Sequence, residues 1–556
     1  MSETRATETR EGDDPRDGDR EDLREEDVAD LSTGATYRSI GEQTLTEQEE
    51  RFEKARRTIG LFLGPVVLVL LYIIPMGMSR PEQNLLAIMA FVIVYWISEA
   101  IPIPVTGMVG IALCVLLNVG SADDVIGAFG DPTVFLFIGA FIIAAAMLKH
   151  GVARRFAFRI LALNWVGAST TRTVIAFGVI TALLSAFISN TATVAMLLPT
   201  ALGILGTLAV LMKRKGEGID RATDASGRFD PSRLRVGTAL MLMLAYGAGV
   251  GGLLTPVGSP PNIIGRGLIE EATGRNIGFL EWVLIAAPIV LIFFVILCVV
   301  LLLLNKPEVK RLDGLGDYVA EERRKLGTMS RAERNTLIAF STAVVLWIAP
   351  GIVGIITGVD SSTYETVVDR LDEGVVAVAA ASLLFFLPTN WSKREFTMNW
   401  SDAAGIDWGT IVLFGSGIVF GGLLRETGLA ERIGTSTAEA FGISSFIPIT
   451  IFAILISILI SETTSNTASA SIVVPIVLPV AQAAGVDPLI PGMAAVFGAS
   501  FGFMLPVSTP QNAIVYGSGF VPITKMVRSG IVFDILGAIV ILLLIPVMVN
   551  LVLGSG

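Results

Sequence analysis

Two short polar strings interrupt apolar sequence: Ser189-Asn190-Thr191 and Ser465-Asn466-Thr467. Each lies between apolar limbs, 173–188 and 191–212 for the first, 445–460 and 467–484 for the second. Unpaired backbone at such a tip is costly in hydrocarbon unless it lines a cavity or meets a ligand. Hydroxyl, amide and carbonyl oxygens suit a hard cation such as Na⁺. The N–H groups of the helix beginning after each triad present a positive dipole end on which a carboxylate docks. Ser185 and Ser461 precede the triads by one helical turn, so their hydroxyls can face the same ion.

A second pair of signatures follows, Thr255-Pro-Val-Gly258-Ser259-Pro-Pro-Asn262 and Leu505-Pro-Val-Ser508-Thr509-Pro510-Gln-Asn512. Proline removes a donor and frees carbonyls, so each string unwinds its helix and leaves half-helix ends where coupling ions are expected. One Ser-Asn-Thr alone reads as hydroxyl back-bonding or helix packing. Two in register, each followed by a Pro-Asn break, outweigh that reading. The glycine runs at 247–252 and 415–417 read as close helix packing instead.

Charge around these strings is sparse. No Lys, Arg or His lies within about fifteen residues of either triad, and only Arg266 is near a break, four residues past Asn262. A bound dianion must therefore be balanced by helix ends and cations, which favours cation symport. Glu99 and Glu462 are candidate functional carboxylates, weighed against a span-end anchor for Glu99 and structural support of the tip for Glu462. A single His (His150) and two distant Cys (Cys114, Cys298) argue against a Cys/His metal site, a His-based triad and a disulfide framework, so no enzyme is expected. Basic residues are too scattered for nucleic acid.

The elements that carry these residues follow from the composition. Of 556 residues 53% are hydrophobic and 16% charged, and apolar stretches of bilayer length recur along the chain. The mean hydropathy is +0.70. The net charge of −10 belongs to a tail: residues 1–50 hold 17 acids and six Arg, leaving 34 basic and 33 acidic residues for 51–556. The tail reads as a disordered acidic cytoplasmic extension. With the N-terminus inside, 28 basic residues fall in inner segments and six in outer ones, which supports about eleven spans in a multi-pass protein of the cell membrane. At 16 residues, the limb 173–188 gives about 24 Å of helix, short for a crossing, so the tips are expected on re-entrant hairpins.

The chain also repeats itself. Asp131–Gly139 aligns with Asp407–Gly415, Ser189–Ala192 with Ser465–Ala468 and Pro199 with Pro475 at one offset of 276. Pro256–Asn262 aligns with Pro506–Asn512 at an offset of 250, because the second copy lacks the long 213–235 loop. That loop carries seven basic residues and its counterpart 481–490 none, so the second copy is expected to be inverted. The expected fold class is an all-α polytopic membrane protein with two inverted repeats and two re-entrant hairpins.

At the paired tips and paired breaks the sequence resembles the divalent anion:sodium symporter family, carriers of dicarboxylates, citrate or sulfate, over roughly 59–553. The resemblance implies a homodimer, with scaffold helices in 51–130 and 305–406. The moving part would be the repeats 131–304 (hairpin 173–212) and 407–556 (hairpin 445–484), working by an elevator-type motion. Carried over residue by residue, one Na⁺ meets Ser185, Ser189, Asn190 and Gly258, and another meets Ser461, Thr464, Asn466 and Ser508. Substrate carboxylates meet Ser189-Asn190-Thr191 and Ser465-Asn466-Thr467, with Ser259, Thr509 and Pro510 shaping the pocket. The intact Thr467 resembles dicarboxylate carriers more than tricarboxylate ones, and Gln511 departs from the family's usual Pro. The expectation is Na⁺-coupled uptake of succinate, malate or fumarate. A Na⁺-independent exchanger and a citrate or sulfate carrier of the same fold are the alternatives.

Overall fold

The computed structural model describes residues 47–167, 169–215, 231–311, 314–443 and 445–554. The acidic segment 1–46 and most of the basic loop 213–235 lie outside the described residues. Nearly everything described is helical, the exception being a two-stranded pair, Pro388–Asn390 with Glu395–Phe396. Nine helices among the described residues are long and apolar enough to cross a bilayer, and five further apolar helices have 10–17 residues. Several long ones expose their apolar faces: in Lys54–Ile73 and Ile523–Leu553 only 11% and 22% of the most apolar window is buried. Side chains such as Phe62, Leu303, Ile356 and Leu551 are left for lipid to cover.

Local signals set the helix ends. Ser330 caps Arg331–Thr357 in a reciprocal box with Glu333, and Ser79 does the same with Glu82 for Arg80–Ser98. Both tips appear where the triads place them. The first hairpin runs Thr170–Ser185 and Asn190–Lys215, the second Phe446–Thr463 and Asn466–Ala483. Each broken helix is in two pieces, Arg235–Gly252 and Pro260–Thr273, then Leu489–Ala499 and Pro510–Gly517. Four short helices were not foreseen: Val152–Leu161, Leu315–Leu326, Ser362–Arg370 and Leu429–Phe441. They are amphipathic or polar and too short to register as apolar runs.

The hairpins open on opposite faces. Helix Phe279–Leu304, about 39 Å long, separates those faces. At its Leu304 end the first hairpin's base bonds the following loop, Thr170 N–H to the Lys310 carbonyl. Its Phe279 end adjoins Asp131, Arg266 and Glu270 around one cavity. On that side the base of the second hairpin is tied down by Gln482 Nε2 donating to the Ala272 carbonyl at 3.1 Å. The helices that open the two repeats also run opposite ways. Lys149, at the end of Pro132–Lys149, bonds Asp402, just before Trp408–Glu426 begins, whereas Arg425 at the far end of the latter bonds Glu271.

Repeats of opposite direction interlock. Helix Pro260–Thr273 of the first packs on Asn466–Ala483 of the second, and Pro510–Gly517 packs on Asn190–Lys215. Glu99 proves to be an anchor: it sits at a left-handed turn, φ 49°, with Arg56 and Arg57 at 3.4 and 3.7 Å.

The Lys149–Asp402 pair gives a pH-dependent brace outside the spanning segments. The bonded ammonium holds the Asp402 carboxyl below its ordinary range. A depressed acid contributes stability above its unfolded pKa and loses it as pH falls through the folded value. Exposed pairs are worth about 1 kcal/mol or less. Asp402→Asn should therefore lower the thermal midpoint of the purified protein slightly at neutral pH, with the gap to wild type closing in acid; an unchanged gap at low pH would contradict the assignment.

Candidate functional site

The two tips share their bonds although four residues turn the chain between helices in the first and two in the second. Ser185 Oγ donates to Asn190 Oδ1 at 2.5 Å, and Ser461 Oγ to Asn466 Oδ1 at 2.7 Å. Ser189 and Ser465 cap the outgoing helices, their hydroxyls accepting from Ala192 and Ala468 N–H at 3.3 and 3.2 Å. The two breaks match as closely. Asn262 Nδ2 donates to the carbonyls of Gly252 (2.7 Å) and Thr255 (2.9 Å), and Asn512 Nδ2 to those of Gly502 (2.9 Å) and Leu505 (3.1 Å). Each Asn thus staples the unwound stretch across its own break.

Break and tip then meet. A Cβ added at Gly258 would lie 2.6 Å from the Gly252 carbonyl oxygen and 2.9 and 3.0 Å from those of Ala186 and Ser185. Glycine is required there because backbone must approach backbone. Thr255 Oγ1 donates to the Ala186 carbonyl in the same cluster. In the second copy Gly502 packs on Asn466 Oδ1 and Ser461 Oγ, and Ser461 Oγ also reaches the Ala499 carbonyl at 2.8 Å. Ser508, which occupies the position of Gly258, donates its hydroxyl to the Glu462 carbonyl at 3.0 Å and its carboxylate at 2.7 Å. Thr464 turns out of the helix at φ −132°, ψ −100°, with its hydroxyl on the Ile460 carbonyl at 2.7 Å.

Both centres offer only oxygen, with no cysteine, histidine or basic side chain among the contacts just given. That donor chemistry suits a hard monovalent cation rather than a transition metal. Burial separates two sets. The residues expected to hold cations are enclosed, apart from Ser189: Ser185, Ser461 and Ser508 at 0%, Thr464 at 3%, Asn190 and Asn466 at 9% and 8% exposure. Ser189 and Pro510 are exposed, and Thr191, Ser465 and Thr467 half-buried, while Ser259 and Thr509 are buried beside them. Oxygen cages therefore lie beneath hydroxyl-bearing surfaces.

Arg266, the basic residue nearest a break, is already neutralised. It is 5% exposed and bonds Glu270 at 2.9 Å and Glu373 at 2.6 Å, on the face away from the first hairpin's base. His150 bonds the Thr397 carbonyl at 2.7 Å, well away from both tips. Glu462 is 2% exposed and serves the second break, accepting from Met504 N–H at 2.8 Å as well as from Ser508. One buried acid escaped the sequence reading. Asp534, in the long C-terminal helix, is 4% exposed, and no described donor bonds either carboxylate oxygen. Its signal was legible, since it is the only acidic residue in the apolar run 529–553.

The family model described as "Sodium:sulfate symporter transmembrane region" matches residues 55–554. The chain belongs to this family of symporters. It is a transporter, not an enzyme. Among curated relatives, the sodium-dependent dicarboxylate transporter SdcS of Staphylococcus saprophyticus is 32% identical over 515 residues, covering 91% of this chain and 94% of the relative. SdcS of Staphylococcus aureus is 31% identical over 504 residues, covering 90% and 92%. Among solved structures, the YdaH transporter of Alcanivorax borkumensis superposes with a TM-score of 0.50 at 12% identity, over 85% of this chain and 99% of that one. MtrF of Neisseria gonorrhoeae gives 0.50 at 12%, over 87% and 97%. These two similarities speak to fold alone.

The Gly258 contacts yield a direct test of the first cage. Gly258→Ala puts a methyl group within 3 Å of three carbonyl oxygens and must spread them. We expect Na⁺ to lose its protection of the purified variant against thermal unfolding, wholly or in large part, while Gly417→Ala, where an added Cβ meets nothing within 4 Å, behaves as wild type. Equal Na⁺ protection in both variants would remove Gly258 from the cage.

Proposed function

We propose that the chain couples Na⁺ to the uptake of C4-dicarboxylates such as succinate, malate or fumarate across the cell membrane, with the N-terminus in the cytoplasm. The observation that carries this reading is the pair of oxygen-lined tip-and-break centres, which share the Ser–Asn bond at the tip and the Asn staple across the break and sit on hairpins that open on opposite faces. In it, one Na⁺ is held by Ser185, Ser189, Asn190 and Gly258, and a second by Ser461, Thr464, Asn466 and Ser508. The substrate's carboxylates lie against Ser189-Asn190-Thr191 and Ser465-Asn466-Thr467, with Ser259, Thr509 and Pro510 at the wall. The relatives named as sodium-dependent dicarboxylate transporters support both the ion and the substrate class.

Charge balance explains why sodium comes with the substrate. The nearest fixed cation, Arg266, is spent on Glu270 and Glu373, so a dianion is left with helix N-termini and co-bound cations. Cations that enter the buried cages draw the Ser and Asn side chains of each tip into place and supply the charge the anion needs. The interlocked repeats favour movement of both tips as one body, as an elevator motion requires. A homodimer with residues 51–130 and 305–406 as scaffold completes the reading.

Sulfate is the second reading, favoured by the name of the matching family model. One assay separates them. Purified protein in vesicles should accumulate labelled succinate under an inward Na⁺ gradient, unlabelled malate and fumarate should compete, and sulfate and citrate should not. Asn190→Ala and Asn466→Ala should each reduce Na⁺-stimulated uptake at least about a hundredfold, since each removes a buried oxygen ligand and strands its serine partner. Uptake that ignores the Na⁺ gradient and needs internal dicarboxylate would make the protein an exchanger.

A further inference from the structure

The first hairpin is not packed flush against its neighbour. Between it and helix Arg331–Thr357 runs a cleft of about 390 Å³. Apart from Arg155, Arg159 and Glu333, every residue lining it is apolar. Leu183, Leu184 and Phe187 form the hairpin wall, and Met329, Leu337 and Phe340 the wall opposite. Phe187 and Phe340 meet edge to face across one end, their ring centroids 5.0 Å apart. Glu333, Leu337 and Phe340 follow one another along the helix over about 10 Å, most of the depth of one ~15 Å hydrocarbon leaflet. The cleft is open at its rim, where Phe156, Leu183 and Met329 are 37%, 44% and 40% exposed.

That rim carries positive charge, and part of it is unspent. Helix Val152–Leu161 is amphipathic, burying Val152, Ala157, Phe158 and Leu161 and turning Arg154 and Arg159 outward. Arg155 is consumed, since it bonds Glu333 at 2.6 Å and the carbonyls of Leu326 and Gly327. Arg154 is paired with Glu322 at 2.6 Å. Arg159 lines the cleft, is exposed, and bonds none of the described residues. Just past the helix, Leu163 and Trp165 stand 50% and 47% exposed. Tryptophan and arginine side by side mark the depth of lipid headgroups, where an apolar ring and a charge are both accommodated.

We propose that this cleft binds an anionic phospholipid, with one acyl chain between the first hairpin and helix Arg331–Thr357 and the phosphate on Arg159. The apolar walls fit a chain and offer nothing to a soluble anion, whereas the arginine at the rim answers a phosphate. Left empty, the leucine and aromatic walls forgo contacts that a chain restores. The headgroup decides selectivity: a zwitterionic lipid brings its own cation towards the guanidinium, and an anionic one does not. Phe187 lies between Ser185 and Ser189, so the chain touches the segment that turns into the first tip. Occupancy fastens that tip to a helix of the 305–406 segment. A hairpin that slides past this helix must first shed the lipid, a consequence for transport that alone rests on the proposed elevator motion.

Binding is tested without transport. Full-length protein in a neutral detergent is titrated with phosphatidylglycerol or with phosphatidylcholine of the same chains, and adducts are counted by native mass spectrometry beside the thermal midpoint. Wild type should keep one phosphatidylglycerol per chain and gain thermal stability from it, and should bind phosphatidylcholine at least about fivefold more weakly. Arg159→Gln should bring phosphatidylglycerol down to the level of phosphatidylcholine. Met329→Trp, which fills the cleft from its rim, should weaken both lipids. Both substitutions fall on exposed residues, so the fold is not at stake. Arg172→Gln, an exposed arginine that does not line the cleft, should behave as wild type. Equal affinity of wild type for the two lipids would overturn the proposal, as would unchanged phosphatidylglycerol binding in Arg159→Gln or Met329→Trp. Equal protection by inorganic phosphate alone would show that no acyl chain is held, and would overturn it too.

Discussion

The structure is governed by what happens to backbone carbonyls when a helix is interrupted inside hydrocarbon. Water does not reach them cheaply there, so every freed oxygen must meet a donor or a cation. The chain uses both. Asn262 and Asn512 each supply one amide to two carbonyls across a break, which keeps the unwound stretch compact. What they leave, the carbonyls of Ser185 and Ala186 beside Gly258, adds partial negative charge to that of the Gly252 carbonyl. Thr255 serves one of these oxygens. In the proposed sodium-coupled reading a small cation answers the rest, and ion binding grows out of the same constraint that makes the breaks costly.

Much of this was legible in the sequence because the constraint leaves marks. A Pro-rich string with a downstream Asn, and a Ser-Asn-Thr between apolar limbs, are rare enough in membrane helices to be informative once each occurs twice at a fixed offset. Register placed Ser185 and Ser461 one turn before their triads, and the structure turns them onto Asn190 and Asn466. What register could not supply was long-range pairing. That Arg266 is consumed by Glu270 and Glu373, the latter 107 residues away, depends on how the helices pack. The amphipathic helices 152–161 and 315–326 escaped because their signal is a short polar-apolar alternation, diluted between long apolar runs. Asp534 was visible as an acid in a lipid-length helix, but only the fold shows it enclosed with no described donor.

Interlocking decides how the two centres act together. Each repeat's second half-helix rests on the other repeat's hairpin, so neither tip is carried by its own repeat alone. Packed interfaces of this kind move as units because cores resist continuous deformation. The helices that build the cages are enclosed, with every residue from Val236 to Gly252 buried, while the longest outer helices are largely open to lipid. A buried core inside lipid-facing helices is the arrangement that the proposed displacement of a whole site requires.

Duplication made the two centres alike, and their differences show what each was left to do. The first closes through backbone: Gly258 against carbonyls, with a threonine hydroxyl as its side-chain donor. The second closes through side chains, Ser508 and Glu462. A cage of backbone carbonyls is set by the path of the broken helix, whereas one closed by Ser508 and Glu462 depends on side-chain bonds. The two halves of a near-symmetric carrier are therefore unequal in how they close, and the inequality lies in two replacements, Ala to Glu and Gly to Ser, at positions the repeat makes equivalent.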